Sequence, residues 1–330
     1  MAGFKSAAAA ALTLLPLHVA HAADAAPCQL RRLVGLDMHF NAAGLPSVPL
    51  TVGGQLRPFH IGSNDAYSVL FDGKIKEIGV KTGRDPSIPS RNDTGRDNIA
   101  PVKDFKIGAI PVPNYNFGIE ADDRNAPDEA GVLGADILHL FDVDMDFGKG
   151  KFNLIQPNAC GSAVVYWGGP FAQTPLQAFT RNGLGGLGEQ LFHQIYIDGK
   201  LDNVETHIFI DSRLPRSFIY RPQAALMFGW RGVPEGAKKI EPLKLHGYKD
   251  GDDTYSFPFK TLNLGGLVIN NPQIALWDAP GPGVANNVVF IGMDVLRLLH
   301  LYVAYDKSML YISPATPPSP PAQPVAPAAN

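Results

Sequence analysis

One order of segments is written twice in this chain. The first copy opens with Val48 to Leu70, VPLTVGGQLRPFHIGSNDAYSVL, and closes with Val132 to Ile155, VLGADILHLFDVDMDFGKGKFNLI. The second opens with His193 to Ile219, HQIYIDGKLDNVETHIFIDSRLPRSFI, and closes with Phe290 to Ser313, FIGMDVLRLLHLYVAYDKSMLYIS. Each copy reads as a strand, a turn, a second strand, a polar turn and an apolar exit. Much later come an apolar-Gly-x-Asp step, a short helix and a closing hairpin, turned at Gly148-Lys149-Gly150 or at Asp306-Lys307-Ser308. A repeat of only two long units implies duplicated lobes facing each other, because a solenoid needs more units to bury its faces.

The ends and the charge balance set the rest of the frame. Lys5, the apolar run Ala7 to Leu15 and the small-x-small step Ala20-His21-Ala22 read as a secretory leader over residues 1–22, so the chain is expected to be exported, periplasmic or secreted. That run falls well short of the ~20 residues a membrane-spanning helix needs, and no other segment is long and apolar enough. In an oxidising compartment Cys28 and Cys160 are expected to form a disulfide. Residues 315–330, ATPPSPPAQPVAPAAN, read as a disordered Pro-rich tail. The expected organisation is then an N-terminal lobe over 30–160, a Gly-rich connection over 161–190 in which Val165-Tyr166-Trp167 can form a strand, and a C-terminal lobe over 191–314, the whole a monomer. With a net charge of -3 and no basic stripe, nucleic acid is excluded as a partner.

The paired segments resemble the retropepsin-type aspartic proteases, in the fused two-lobe form that bacteria export. In that family each lobe contributes apolar-apolar-Asp-Thr-Gly-Ala, followed later by apolar-Gly-x-Asp and a hairpin. The likeness runs over residues 30 to 314, and Cys160-Gly-Ser-Ala-Val-Val-Tyr-Trp167 is similar to a segment of the exported subgroup. The resemblance implies a mainly β, bilobal acid-protease fold of two barrel-like lobes around a cleft. It also implies a water-activating pair of carboxyls, one from each lobe, that share a proton because two like charges at contact cannot both ionise.

This sequence departs from the family motif in both lobes. In Phe209-Ile210-Asp211-Ser212-Arg213-Leu214-Pro215, Asp211 holds the catalytic position and Ser212 the bracing hydroxyl. Arg213 replaces Gly, adding bulk at a tight turn and a cation beside the carboxylate, which favours its ionised form. In Ile61-Gly62-Ser63-Asn64, Gly62 stands where the first carboxylate should be, Ser63 at the Thr position and Asn64 at the Gly position, where Asn is expected to tolerate left-handed angles. Asp65 lies three positions beyond Gly62 and reads as a solvated turn aspartate. As a substitute carboxylate it would have to be carried several ångströms. His60 reads as a satisfied structural histidine.

Other candidates carry less. Asp142, Asp144 and Asp146 lack the fixed Gly and closing Glu of an EF-hand loop, and their period-two spacing puts them on one strand face, expected to be solvated. Asp136 and Asp294 read as helix-start caps. Ser68 and Ser217 lack a G-x-S-x-G context, and the Gly-Gly-Leu-Gly at 185–188 follows no strand. The nine histidines show no metal-ligand spacing, so neither metal nor cofactor is expected. The functional expectation is a pseudoprotease holding an extended peptide or unfolded protein segment in the interlobe cleft. Its alternatives are an endopeptidase using Asp211 with a partner such as Asp65, and a structural or partner-binding protein without a working cleft.

Overall fold

The computed structural model describes residues 12–14, 30–85, 97–157, 165–182, 189–245, 252–279 and 287–315. Cys28 and Cys160 lie outside them, as do the expected tail beyond 315, the glycines at 185–188 and all of the expected leader except a short strand, Leu12–Leu14. Among the described residues no helix is long and apolar enough to cross a membrane.

The protein is mainly β, and the repeat seen in the sequence reappears as a repeat of strand pairing. In the first half, Pro46–Val52 and Gln55–Ile61 form a hairpin over Gly53 and Gly54. Both glycines have positive φ (61° and 73°), the conformation that keeps the strands in step with their twist. Gln55–Ile61 then pairs in parallel with the late strand Gly131–Leu133, which pairs antiparallel with Val69–Phe71. Val69–Phe71 in turn runs parallel to Ile110–Glu120. The second half repeats each relation. Tyr196–Leu201 and Val204–Ile210 form the hairpin, Val204–Ile210 runs parallel to Val288–Ile291, and Phe218–Tyr220 runs parallel to Gln273–Trp277. The first set belongs to a seven-stranded sheet and the second to a ten-stranded one. A helix follows the central strand in each half, Asp72–Ile78 and Arg221–Phe228, and each stops at a left-handed glycine, Gly79 or Gly229.

The closing hairpins form where expected, Asp142–Asp146 with Lys151–Ile155 and Leu299–Ala304 with Met309–Pro314. They also pair with each other, with Val143 opposite Val303 and Met145 opposite Leu301. Together with Arg32–Asp37 and Ala172–Pro175 they make a six-stranded sheet to which both halves contribute. Its inner face, including Val143, Met145, Phe152, Leu154, Leu301, Val303, Leu310 and Ile312, joins one continuous hydrophobic core with Val48, Leu50, Phe59, Ile208, Ile210 and Val289. The two halves therefore share apolar burial rather than merely touching.

The outer face of this sheet corrects two expectations. Asp142, Asp144 and Asp146 do share a face, but all three are buried. His300 Nε2 lies 2.6 Å from Asp144 Oδ1, while Asn153 Nδ2 and the Tyr166 hydroxyl donate to Asp144 Oδ2 at 2.7 and 2.8 Å. The Trp167 ring lies over His300 with centroids 4.0 Å apart. Alternation placed the acids correctly, but a distant segment covers their face and removes it from water. That segment, Val165-Tyr166-Trp167, is coil rather than strand, and the connection forms strands further on, at Ala172–Pro175 and Phe179–Asn182.

Candidate functional site

The site forms where Gln55–Ile61 and Val204–Ile210 end. Ile61 and Ile210 are fully buried, and the parallel neighbour of each strand carries the backbone past its end. Gly62 N–H donates to Leu133 O and Asp211 N–H to Ile291 O, both at 2.9 Å. Each chain then turns, with Asp65 N–H donating to Gly62 O and Leu214 N–H to Asp211 O, both at 3.2 Å. Each turn is pinned to the short helix that follows the late parallel strand, Ala135–Leu138 or Met293–Leu296, by Ala135 N–H to Asp65 O and Met293 N–H to Leu214 O, both at 2.7 Å.

The two turns meet through their serines. Ser63 Oγ donates to Ile210 O at 2.8 Å, and Ser212 Oγ donates to Ile61 O in the other half. Ser212 N–H donates to Ser63 Oγ at 2.9 Å and Ser63 N–H to Ser212 Oγ at 3.3 Å. Both serines are fully buried, so removing either hydroxyl strands a carbonyl and an N–H away from water. Each Ser→Ala substitution is expected to cost about 2–4 kcal/mol in urea unfolding. The double variant should lose clearly less than the sum, because the four bonds form one network. Additivity within about 0.5 kcal/mol would show that the serines act separately.

Asp211 lies between the turns. Its Oδ1 accepts Arg213 N–H at 2.9 Å and its Oδ2 accepts Asn64 Nδ2 at 3.1 Å. Burial, and then the negative charge of Asp65, push its pKa up to about 6 against those two donors and the Arg213 charge. Gln194 orients the Asn64 amide by donating to both Asn64 O and Asn64 Oδ1, the latter at 3.0 Å. Gln194 carries no motif; its only signal in the sequence is its place just before the first strand of the second copy.

Asp65 is not a solvated turn residue. A Cβ on Gly62 would lie 2.8 Å from Asp65 Oδ2 and 2.9 Å from Asp65 Cβ, so Asp65 fills the space that a side chain at 62 would enter. The tight turn, rather than a loop shift, folds it back across three positions. Its other oxygen is engaged by Arg213, with Nη1 3.0 Å from Asp65 Oδ1. Arg213 also lies 3.6 Å from Glu120 Oε2 and 3.3 Å from Asp123 Oδ2. The four side chains are 10%, 12%, 9% and 3% exposed for Arg213, Asp65, Glu120 and Asp123. Burial alone would lower the guanidinium pKa, but Asp65, Glu120 and Asp123 outweigh it and hold the pKa raised. The motif places the Arg213 cation beside Asp211, whereas its ion pairs are with these acids of the first half. Glu120 and Asp123 lie at and just after the end of Ile110–Glu120 with no motif around them, so nothing in their local sequence marks them.

Three further expectations change. Neither Asn64 nor Arg213 has positive φ, so the turn needs no left-handed residue at 64 and the Gly-to-Arg departure brings no backbone strain. His60 is buried as expected, with Nδ1 3.4 Å from Pro46 O, but its Nε2 has no hydrogen-bond partner among the described residues. Burial first, then the Arg213 charge, push its pKa down to about 4. Asp136 and Asp294 are not helix caps, since Gly134 and Gly292 hold those positions. Each accepts both the N–H and the hydroxyl of a serine after the turn, Ser68 at 2.9 and 2.7 Å and Ser217 at 2.8 and 2.6 Å. The serine oxygens in turn accept Gly134 N–H and Gly292 N–H.

The junction thus brings together Gly62, Ser63, Asn64, Asp65, Asp211, Ser212 and Arg213. Among the described residues no group of three or more His, Cys, Asp or Glu side chains is arranged to hold a metal ion. No family model and no curated protein sequence matches this chain.

Proposed function

We propose that this chain is an exported, two-lobed relative of the aspartic proteases in which the catalytic pair has become a lock, and that it binds an extended peptide or unfolded protein segment between its lobes without cutting it. One observation carries the reading: the Arg213 guanidinium sits in a carboxylate cage that includes Asp65, the acid closest to the missing catalytic position. A carboxyl dyad activates water by sharing one proton between two otherwise uncommitted groups. Here Asp65 is held as the anion of an ion pair, while both oxygens of Asp211 are taken by Asn64 and by the Arg213 N–H. Binding by strand addition would ask only for exposed backbone edges and side-chain pockets, not for a dyad.

A second reading rests on the folding back of Asp65 into the space beside Gly62. Asp211, with a pKa of about 6, would serve as acid and Asp65 as base of a rebuilt pair. Incubating the purified chain with unfolded protein across about pH 3–7, where carboxyl pairs titrate, separates the two readings. No new termini are expected by mass spectrometry, together with saturable binding of unstructured peptides. Cleavage abolished by Asp211→Ala would establish the second reading, and absence of any saturable binding would sink the first. Restoring Gly62→Asp alone is expected to do nothing, because its Cβ would come within 2.5 Å of Val132 Cγ1 and 2.8 Å of Asp65 Oδ2. Clearing the space takes Asp65→Gly and Val132→Ala beside Gly62→Asp, since Val132 Cγ1 and Asp65 Cβ would lie 2.5 and 2.9 Å from the new Cβ, and Arg213→Gly is needed as well to remove the guanidinium.

A further inference from the structure

The acid face of the six-stranded sheet holds a group that neither the serine junction nor the Arg213 cage uses. Asp142 is 1% exposed. Its Oδ2 accepts the hydroxyl of Tyr302, from the second half, at 3.0 Å. Its Oδ1 is buried and has no hydrogen-bond partner among the described residues. The turn Tyr305–Lys307 of the second half packs against Asp142–Asp146, and it brings a second carboxylate, Asp306, to act on Asp142. Two carboxylates cannot bond to each other unless one carries a proton, and a desolvated anion with one neutral donor is costly. Protonated, Asp142 accepts from Tyr302 and can donate to Asp306. We propose that Asp142 is a proton-operated latch between the two halves: as a carboxylic acid it ties Asp142–Asp146 to the Tyr302 and Asp306 side of the second hairpin, and once ionised it opposes that pairing.

The neighbouring groups set the direction. Across the first hairpin Asp142 faces Ile155, which offers no charge. From the second half come exposed Asp306, Lys307, the Tyr302 hydroxyl and Tyr311, whose phenol is itself held up by burial and by the charges of Asp142 and Asp306. On its own strand Asp144 is taken up by His300, Asn153 and Tyr166. Burial first, and then Asp306, raise the Asp142 pKa to about 7, against the Tyr302 donation and the Lys307 charge. A carboxyl raised in the folded state contributes stability that is fully present below its unfolded value and lost as pH rises through its folded value. The latch is therefore closed in mild acid and released around neutrality.

Hydrogen exchange of residues 142–146 and 299–304, corrected for intrinsic rates, tests this directly on the full chain. Between about pH 5 and pH 8, protection of these segments should fall by about tenfold or more. Asp142→Asn keeps an acceptor for Tyr302 and a donor for Asp306 with no proton to lose, so its protection should stay flat. Asp306→Asn, at an exposed position, should shrink the fall. Asp211→Asn should leave the fall in place, although Asp211 titrates in the adjoining range with the same sign. Flat protection in the unaltered chain, or the same fall in both Asp142→Asn and Asp306→Asn, would overturn the proposal. If Asp142→Asn does not fold, an undiminished fall in Asp306→Asn overturns it alone.

Discussion

Replacing Arg213 by leucine is expected to lower stability by about 4 kcal/mol at neutral pH, the range seen when one member of a buried ion pair is removed. The substitution keeps apolar bulk but leaves Asp65, Glu120 and Asp123 close together, none more than 12% exposed, without the cation they share. Their mutual repulsion and desolvation would raise their folded pKa values. The variant should therefore regain stability in acid and lose it as pH rises through those raised values. Denaturant unfolding of both proteins near pH 5 and pH 7.5 measures this, with the gap between them expected to widen by about 2 kcal/mol or more at the higher pH. A loss below about 1 kcal/mol, or one unchanged with pH, would mean that Arg213 is not what holds these acids in place. Arg213→Lys should recover only part of the loss, because one ammonium cannot match a planar fork facing three carboxylates.

Gly131→Ala is expected to be comparably severe for a different reason. A Cβ at this position would lie 2.0 Å from Val69 O and 3.0 Å from Val69 C, both backbone atoms that cannot rotate away. Gly131 pairs with Phe59 on one side and Leu70 on the other, so displacing it disturbs the strands leading into Gly62 and out of Ser68. A loss of about 3 kcal/mol or more follows if the backbone has to part. Gly118→Ala is the matched control, since its new Cβ would meet the Val69 Cγ1 methyl at 3.2 Å, a side-chain contact that can yield. It should cost about 1 kcal/mol or less. Equal losses for the two variants would show that strand pairing around Gly131 is looser than its geometry implies.

Elements whose cause is local are legible in the amino-acid order. The two hairpin turns, the apolar strands leading into residues 62 and 211, and the closing hairpins all rest on alternation and turn chemistry along a single stretch of chain. Because the pattern occurs twice, Ser63 and Ser212 fall at equivalent positions of the two copies, and their reciprocal bonds across the junction match that register.

Less local features cannot be read in this way. Sequence separation makes Asp65 look remote from residue 62, yet a turn closed by Asp65 N–H to Gly62 O returns its carboxylate to that space. The partners of Arg213 lie 148, 93 and 90 positions away in Asp65, Glu120 and Asp123, so nothing beside it foretells that its ion pairs bypass Asp211. Alternation puts Asp142, Asp144 and Asp146 on one face but cannot say whether that face meets water, which depends on Tyr166, Trp167 and the second hairpin. The amino-acid order is thus enough to establish the repeat, the strands of its hairpins and the residues at the junction. Which carboxylates lose their water, and which share a cation or a proton, is decided only when distant segments pack over them, because solvation and charge pairing depend on distance through space rather than along the chain.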